Sequence, residues 1–279
     1  MNCEQKLDYE SKLNDCFLED CVVLRNYALS DTLWRLDLRS DLIAPRVLPG
    51  QFVHLCVSAS PSDCVFGHLL RRPLSVYFAN NDTISLIYQL VGRGTRSLIC
   101  VSAGSRLSVL GPIGSCWSVP ALKDNSCGRA LLVGGGIGTA ALHLLARQLT
   151  QTHVVDFVVG AANASMLVCN EDLLLCGEKL RLHIATDDGS AGHHGFTIDL
   201  LPELVNNNKY HYLATCGPEI MQRKVAALAK STGIYCDVSL ERRMACGIGA
   251  CLSCSVDTIY GKKRACVDGP VFNAEEILW

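Results

Sequence analysis

The chain has 279 residues, a formal net charge of −2 at neutral pH and 49% hydrophobic residues. At about 100–200 residues per domain, this length implies two domains with a small appendage, enough to bury a core without disulfides. Near-neutral charge argues against a nucleic-acid binder, and the charged opening MNCEQKLDYESKLNDC argues against a secretory signal.

Residues 1–16 are expected to form an N-terminal extension, disordered or helical. Residues 21–25, 33–38, 51–57, 74–78, 84–91 and 107–110 are rich in Val, Ile, Leu and aromatics. Breakers such as Pro49-Gly50, Asn80-Asn81-Asp82 and Gly111-Pro112 separate them. Short strands divided by turn signals predict an antiparallel β barrel over residues 17–115. After Pro112 the pattern changes. Strand-like runs over 130–133, 154–159, 180–184 and 211–215 alternate with helical spacing over 139–149 and 219–230. Such alternation predicts a parallel sheet with crossovers, an α/β domain over 116–235. The longest uncharged run, 130–146, contains three consecutive glycines and a histidine. It reads as strand, turn and helix rather than as a membrane span of about 20 apolar residues. From 236 to 279 the alternation gives way to Cys, Gly and short turns.

Sixteen cysteines need a reason. A disulfide scaffold would be short and secreted, so a soluble protein of a reducing compartment, the cytoplasm, is expected instead. Cys21, Cys56, Cys100 and Cys176 stand singly in apolar runs and read as small buried hydrophobes. The sequence Cys246-Gly-Ile-Gly-Ala-Cys251-Leu-Ser-Cys254, followed by Cys266, is different. This is C-x4-C-x2-C…C, the plant-type ferredoxin spacing for a two-iron, two-sulfur (2Fe-2S) cluster. Gly247 and Gly249 let the backbone curl around such a group. A structural zinc site is the alternative, but zinc favours a second C-x2-C or C/H pair, which Cys251/Cys254 lacks. Four unrelated thiols are the remaining reading.

Four further segments point to nucleotides. Leu131-Leu-Val-Gly134-Gly-Gly136-Ile-Gly138-Thr-Ala-Ala141 reads from Gly136 as G-x-G-x-x-A between strand and helix, suited to a dinucleotide pyrophosphate. The acid expected about 20 residues on is out of place. Asp156 falls inside its strand, and the strand end, Gly160-Ala161-Ala162-Asn163, has none. Arg71-Arg72-Pro73-Leu74-Ser75-Val76-Tyr77 offers an arginine fork for a diphosphate, or else a solvated basic pair. Val91-Gly92-Arg93-Gly94-Thr95-Arg96 is a second phosphate cradle or a glycine turn. Ala214-Thr215-Cys216-Gly217-Pro218-Glu219 puts Cys216 at the carboxyl end of a strand, where open α/β sheets bind ligands. His193-His194 reads as a surface loop. No catalytic triad or paired-carboxylate constellation is visible, so no side chain is expected to act as a catalytic group.

These segments, in this order, resemble the electron-transfer subunits of bacterial class B, NAD-dependent dihydroorotate dehydrogenases, within the ferredoxin reductase superfamily. The likeness covers nearly all of residues 17–272. RRPLSVY resembles the family's flavin motif, YQLVGRGT the segment that closes over the flavin, and GGGIGTAAL and CGPEIM the nicotinamide-domain signatures. ERRMAC through CVDGPVF is the most specific piece, and TDDGS is also similar. The resemblance implies three parts: a flavin-binding barrel, a nicotinamide-binding α/β domain and an iron–sulfur segment over 236–279. It implies FAD touched by Arg72, Pro73, Leu74 and Ser75, lined by Ile87, Tyr88 and Gln89, with Gly94 and Thr95 at its phosphates. It implies NAD(H) at Gly134, Gly136, Gly138 and Cys216, and cluster ligation by Cys246, Cys251, Cys254 and Cys266. The implied partner is an FMN-containing dihydroorotate dehydrogenase catalytic subunit, in a heterotetramer of two of each, working in pyrimidine biosynthesis. Two departures stand out: Ala141 replaces a usual proline, and no arginine accompanies Ala162. The eleven residues before Cys266 leave room for only a trimmed hairpin. Rival readings are a related subunit of a hydrogenase, sulfide dehydrogenase or transhydrogenase, and a non-enzymatic iron–sulfur redox sensor.

Overall fold

A computed structural model describes residues 16–57, 70–121, 127–168, 172–173 and 176–279. The expected N-terminal extension lies outside them, apart from Cys16. All thirteen described cysteines are free thiols. The chain divides into two compact units. Of the described residues, those up to 116 with 242–255 and 264–270 form the first; those from 117 to 241 with 256–263 and 271–279 form the second.

The first unit is built on a closed barrel. Its strands are β1 (Phe17–Ala28), β2 (Leu33–Arg39), β3 (Phe52–Leu55), β4 (Arg72–Ala79), β5 (Thr83–Gln89) and β6 (Arg106–Ile113). They run in the order β1-β2-β5-β4-β3-β6, every pairing antiparallel. Period-two alternation explains the core. Leu36 and Leu38 of β2, Val76 of β4, and Ile84, Leu86 and Tyr88 of β5 all point inward. Full burial of each such aliphatic side chain contributes about 1.5–3 kcal/mol. A short helix, α1 (Arg93–Leu98), follows β5. Asn26 ties its end to the barrel, donating to the carbonyls of Leu98 at 2.7 Å and Val101 at 2.9 Å.

The second unit is a seven-stranded sheet ordered β10-β9-β8-β7-β11-β12-β15. The strands are β7 (Gly128–Gly135), β8 (His153–Ala161), β9 (Leu180–Thr186), β10 (His193–His194), β11 (Tyr212–Cys216), β12 (Tyr235–Ser239) and β15 (Val271–Asn273). All pairings are parallel except β12 with β15. Helices α2 (Thr139–Leu149), α3 (Thr197–Asn207) and α4 (Glu219–Thr232) cross between strands. Apolar Ala141, Leu142, Leu145 and Leu149 bury one face of α2 in a core shared with Phe157 and Tyr212. Gly233 ends α4 in a left-handed cap at φ +69°.

Three elements escape the sequence pattern. Strand β12 pairs with β11 and β15 up to Ser239, and it escapes the pattern because Asp237 and Ser239 are buried polar residues where an apolar run is expected. Asp237 accepts from the Ser118 amide at 2.8 Å and from the Tyr212 hydroxyl at 3.0 Å. Helix α3 carries Pro202 inside it, which masks its periodicity. His193 and His194 form an exposed strand paired with β9 rather than a loop. The segment after β12 contributes β13 (Ser255–Thr258) and β14 (Gly261–Arg264), joined by Ile259–Tyr260, and then β15. The hairpin before Cys266 is thus short and complete.

Candidate cofactor sites

On the barrel, β4 and β5 gather the expected flavin residues. The antiparallel strands pair at Val76 and Leu86, which face the core, so alternation turns Pro73, Ser75, Ile87 and Gln89 the other way. These four side chains share the outer face of the barrel. Leu74 instead packs towards the core. Tyr88 turns its ring fully into the core and donates to Asn26 at 2.9 Å, so only its peptide faces the patch. The Arg72 side chain lies against Gly94, where any Cβ would collide with the guanidinium. Its Nη1 donates to the Leu70 carbonyl at 2.6 Å. Thr95 is committed locally: its hydroxyl accepts from the amides of Val91 and Gly92 at 3.1 and 3.3 Å, closing the turn before α1. A half-buried arginine beside a bare glycine suits a diphosphate.

In the sheet, β7 leads to β8 on one side and is flanked by β11 on the other. The carboxyl ends of β7 and β11 therefore form a topological switch point, where ligands bind in open sheets. Gly134, Cys216 and Ser239 stand side by side there. A Cβ on Gly138 would lie 2.7 Å from the Cys216 carbonyl carbon and the Gly217 Cα, so the two signature loops pack backbone on backbone. Gly136 differs: it has φ +53° and nothing within 4 Å of a Cβ, leaving open space above the turn. Burial and then the Glu241 charge push the Cys216 thiol far up, so it stays protonated. Thr139 and Thr215 are fully buried, and their hydroxyl oxygens have no partner.

Asp156 is confirmed as a strand-interior residue. It holds Arg129, His183 and Tyr210 at 3.0, 2.9 and 2.8 Å. Burial pushes its carboxyl up, but those three hydrogen bonds and the Arg129 charge hold it below its ordinary value. The strand end at Ala161–Ala162 is instead bonded to the turn after β9. Asp187 and Asp188 donate their amides to those carbonyls at 3.1 and 3.2 Å, and both are exposed. The sequence pattern missed this, because an acid was sought at the end of β8 and these stand in the turn after the neighbouring strand, β9.

The cysteine segment runs without regular structure from 240 to 254. Among the described residues, no three imidazole, thiol or carboxylate groups converge on a position for one metal ion. The thiols relate in pairs. Cys246 Sγ accepts from the Cys251 amide at 3.4 Å, which sets the two free thiols side by side. Cys254 and Cys266, both buried free thiols, are neighbours. Two irons taking two thiolates each fit this pairing better than one tetrahedral zinc does. Hydrogen bonds from Ser253 and Cys246 bring the exposed Cys251 thiol down to about 6. Burial and Cys254 push Cys266 up to about 12. Anchors surround the segment. Arg264 donates to the Gly249 carbonyl at 3.3 Å and to Asp268 at 3.1 Å, and Ser253 donates to the Arg243 carbonyl at 3.1 Å. Ile248, Ala250, Cys251 and Leu252 are exposed. No helix among the described residues is long and apolar enough to cross a membrane.

Residues 241–278 match the model of the iron-sulfur cluster binding domain of dihydroorotate dehydrogenase B. Electron transfer subunits of dihydroorotate dehydrogenase B (NAD+) match nearly the whole chain. That of Geobacillus kaustophilus is 37% identical over 268 residues, covering 93% of this chain and 98% of its own. That of Clostridium acetobutylicum is 35% identical over 258 residues, covering 92% and 95%. Among solved structures, an NADH-dependent reduced ferredoxin-NADP oxidoreductase superposes with a TM-score of 0.79 at 28% identity, covering 94% of this chain and 90% of that one. The ferredoxin reductase of carbazole 1,9a-dioxygenase shares the fold, with a TM-score of 0.62 at 22% identity over 78% of this chain and 67% of that one. With a flavin-type barrel, a glycine-lined switch point and paired cysteines in one sequence of this likeness, the chain belongs to the family of electron-transfer subunits of dihydroorotate dehydrogenase B.

Proposed function

We propose that this chain carries electrons between NAD(H) and the FMN of a separate dihydroorotate dehydrogenase catalytic subunit, in pyrimidine biosynthesis. The observation that carries this reading is the segment 241–278, whose four cysteines stand in two pairs and whose model is that of the dihydroorotate dehydrogenase cluster domain. Bound FAD accepts both electrons of a hydride and releases them singly, the unit that a two-iron cluster carries.

The chain's own residues bind and orient. Arg72 anchors the FAD diphosphate, while Pro73, Ser75, Ile87 and Gln89 form the wall beside it. The open turn at Gly136 admits the pyrophosphate of NADH, and the close contact of Gly138 with Gly217 holds that turn to the strand ends. The Cys216 thiol, kept protonated by burial and by the Glu241 charge beside it, adds no charge of its own at the nicotinamide end. Asp187 and Asp188 supply, from the turn after β9, the acid absent at the end of β8. Carboxylates there bond a ribose hydroxyl and repel a 2′-phosphate, which favours NADH over NADPH. Cys246, Cys251, Cys254 and Cys266 hold the cluster. Apolar Ile248, Ala250 and Leu252 around it form a dry contact patch for the partner. The assembly is two of each subunit, in the cytoplasm where NADH is at hand.

The test is reconstitution. Anaerobically purified protein should contain FAD and two irons per chain, be bleached by NADH faster than by NADPH, and support NADH-linked turnover when mixed with the catalytic subunit. Arg72→Ala should weaken FAD retention roughly 10- to 100-fold, the worth of a charge-assisted hydrogen bond. Full FAD retention in that variant would remove Arg72 from the site. Preference for NADPH, or no turnover with the partner, would overturn the reading.

A further inference from the structure

His54 lies on β3, with its Cα paired to Pro73 of the flavin-motif strand and to Leu110 of β6. It is completely buried, yet neither Nδ1 nor Nε2 makes a well-formed hydrogen bond within the protein. Buried polar atoms without partners are rare in native chains and call for a specific reason. The surroundings of this ring are not apolar. A Cβ on Gly247 would lie 2.5 Å from Nδ1 and 3.2 Å from Cε1, so the peptide after Cys246 rests on the Nδ1 edge. The backbones of Cys246 and Arg71 both face the imidazole. Arg71 donates to the carbonyl of His54 at 3.3 Å. One ring therefore touches the strand bearing the flavin arginines and the loop bearing three of the four cysteines.

We propose that His54 is a positioning residue for the two-iron cluster, its Nδ1–H lying beside the peptide after Cys246 and closing a hydrogen bond to the Cys246 carbonyl when the cluster is seated, which holds the cysteine loop on the flavin strand. The inference rests on Cys246, Cys251, Cys254 and Cys266 being the cluster ligands. Groups one shell out from a metal centre orient its ligands and tune it, and hydrogen bonds and solvent exposure set cluster potentials. A donor at Cys246 favours the reduced, more negative cluster. Its removal shifts the midpoint downward and changes the geometry at one iron.

The test uses the full chain, purified anaerobically, with flavin and iron counted first. His54→Phe keeps the ring's bulk and removes the donor. His54→Asn places an amide nitrogen where Nδ1 stands, and His54→Gln reaches towards Nε2 instead. We expect His54→Phe to keep FAD and iron at wild-type counts while its cluster midpoint becomes more negative and its EPR line shape changes. His54→Asn should restore both, and the flavin midpoint should stay put in each. A fully loaded Phe variant with wild-type midpoint and EPR overturns the proposal, as does an Asn variant displaced as far as Phe. If His54→Phe does not fold, Asn and Gln decide: Asn matching wild type while Gln does not supports the Nδ1 assignment, and equal behaviour overturns it. A wild-type chain that binds no cluster iron would refute the ligand assignment itself, a separate failure.

Discussion

The strand ends at Gly134–Gly138 and Cys216–Gly217 and the loop at Cys246–Cys254 are both glycine-rich and both proposed as ligand sites, yet they are built in opposite ways. The first is carried on paired parallel strands, with Gly138 pressed against the Cys216–Gly217 backbone. The second has no ladder. Gly247, Gly249 and Leu252 all take positive φ, and Leu252, at +59°, is the one non-glycine among the described residues to do so. A nucleotide cradle can be complete before its ligand arrives, because backbone packing forms it. The cysteine loop is held only at a few anchors, and the rest of its order must come from the metal it binds.

The largest effect should come from breaking the loop's metal. Cys251→Ser should lose the cluster and bring NADH-linked turnover of the partner close to zero. Reduction of the flavin by NADH should persist, since the cradle and barrel are unaffected. Normal partner turnover in a cluster-free Cys251→Ser variant would show the cluster to be merely structural.

Next comes pH, acting on the cradle side. Burial raises the carboxyl of Asp237, on β12, to about 7, against an ordinary value near 4. Between those values the folded state holds the proton more tightly than the unfolded chain. The stability that Asp237 contributes is therefore full below about pH 4 and lost as pH rises to about 7. The loss is on the order of 4 kcal/mol. Asp237→Asn should raise the thermal midpoint at pH 8 and give no gain at pH 4. Asp156, held below its ordinary value, acts with the opposite sign: its contribution is present above the ordinary carboxylate range and fades in acid. An Asn variant whose midpoint is unchanged at pH 8 would mean that the Asp237 site is already relaxed around a charge.

Two glycines separate packing from ligand access. Gly138→Val drives a side chain into the Cys216–Gly217 backbone and should destabilise the sheet unit by about 1–3 kcal/mol. Gly136→Val meets open space but a strained φ, so it should cost about 1–2 kcal/mol while blocking NADH and leaving FAD bound. Wild-type flavin reduction in the Gly136 variant, followed by stopped flow, would move the pyrophosphate elsewhere. The smallest effect belongs to Leu252→Gly. Relieving the positive φ should stabilise the cluster-free chain by up to about 1 kcal/mol, while removing an exposed apolar contact should weaken partner binding. Titration calorimetry with the catalytic subunit would check the second part.

The same contrast governs what was legible in the sequence. Barrel strands, glycine turns and cysteine spacing are local patterns, and the structure places them where the pattern puts them. Strand β12 was not legible because Asp237 and Ser239 hide it, and its buried carboxylate is satisfied by Ser118 and Tyr212, far away in sequence. Pro202 hides α3 in the same way. Tyr88 sits in the flavin motif region, but its ring belongs to the core, since β5 alternates and Tyr88 shares a face with Leu86. His54 carries no motif at all. Its significance lies in Gly247, far away in sequence, and only the fold brings them together.

The most direct test of a converter from hydride to single electrons is rapid mixing of the full chain with NADH, with no partner present. Flavin absorbance and freeze-quenched EPR of the cluster would be read on the same samples. A converter predicts that the flavin bleaches first and that the reduced-cluster signal follows from it. A cluster that stays oxidised while the flavin is fully reduced, or one that is reduced while the flavin is not, would contradict that role.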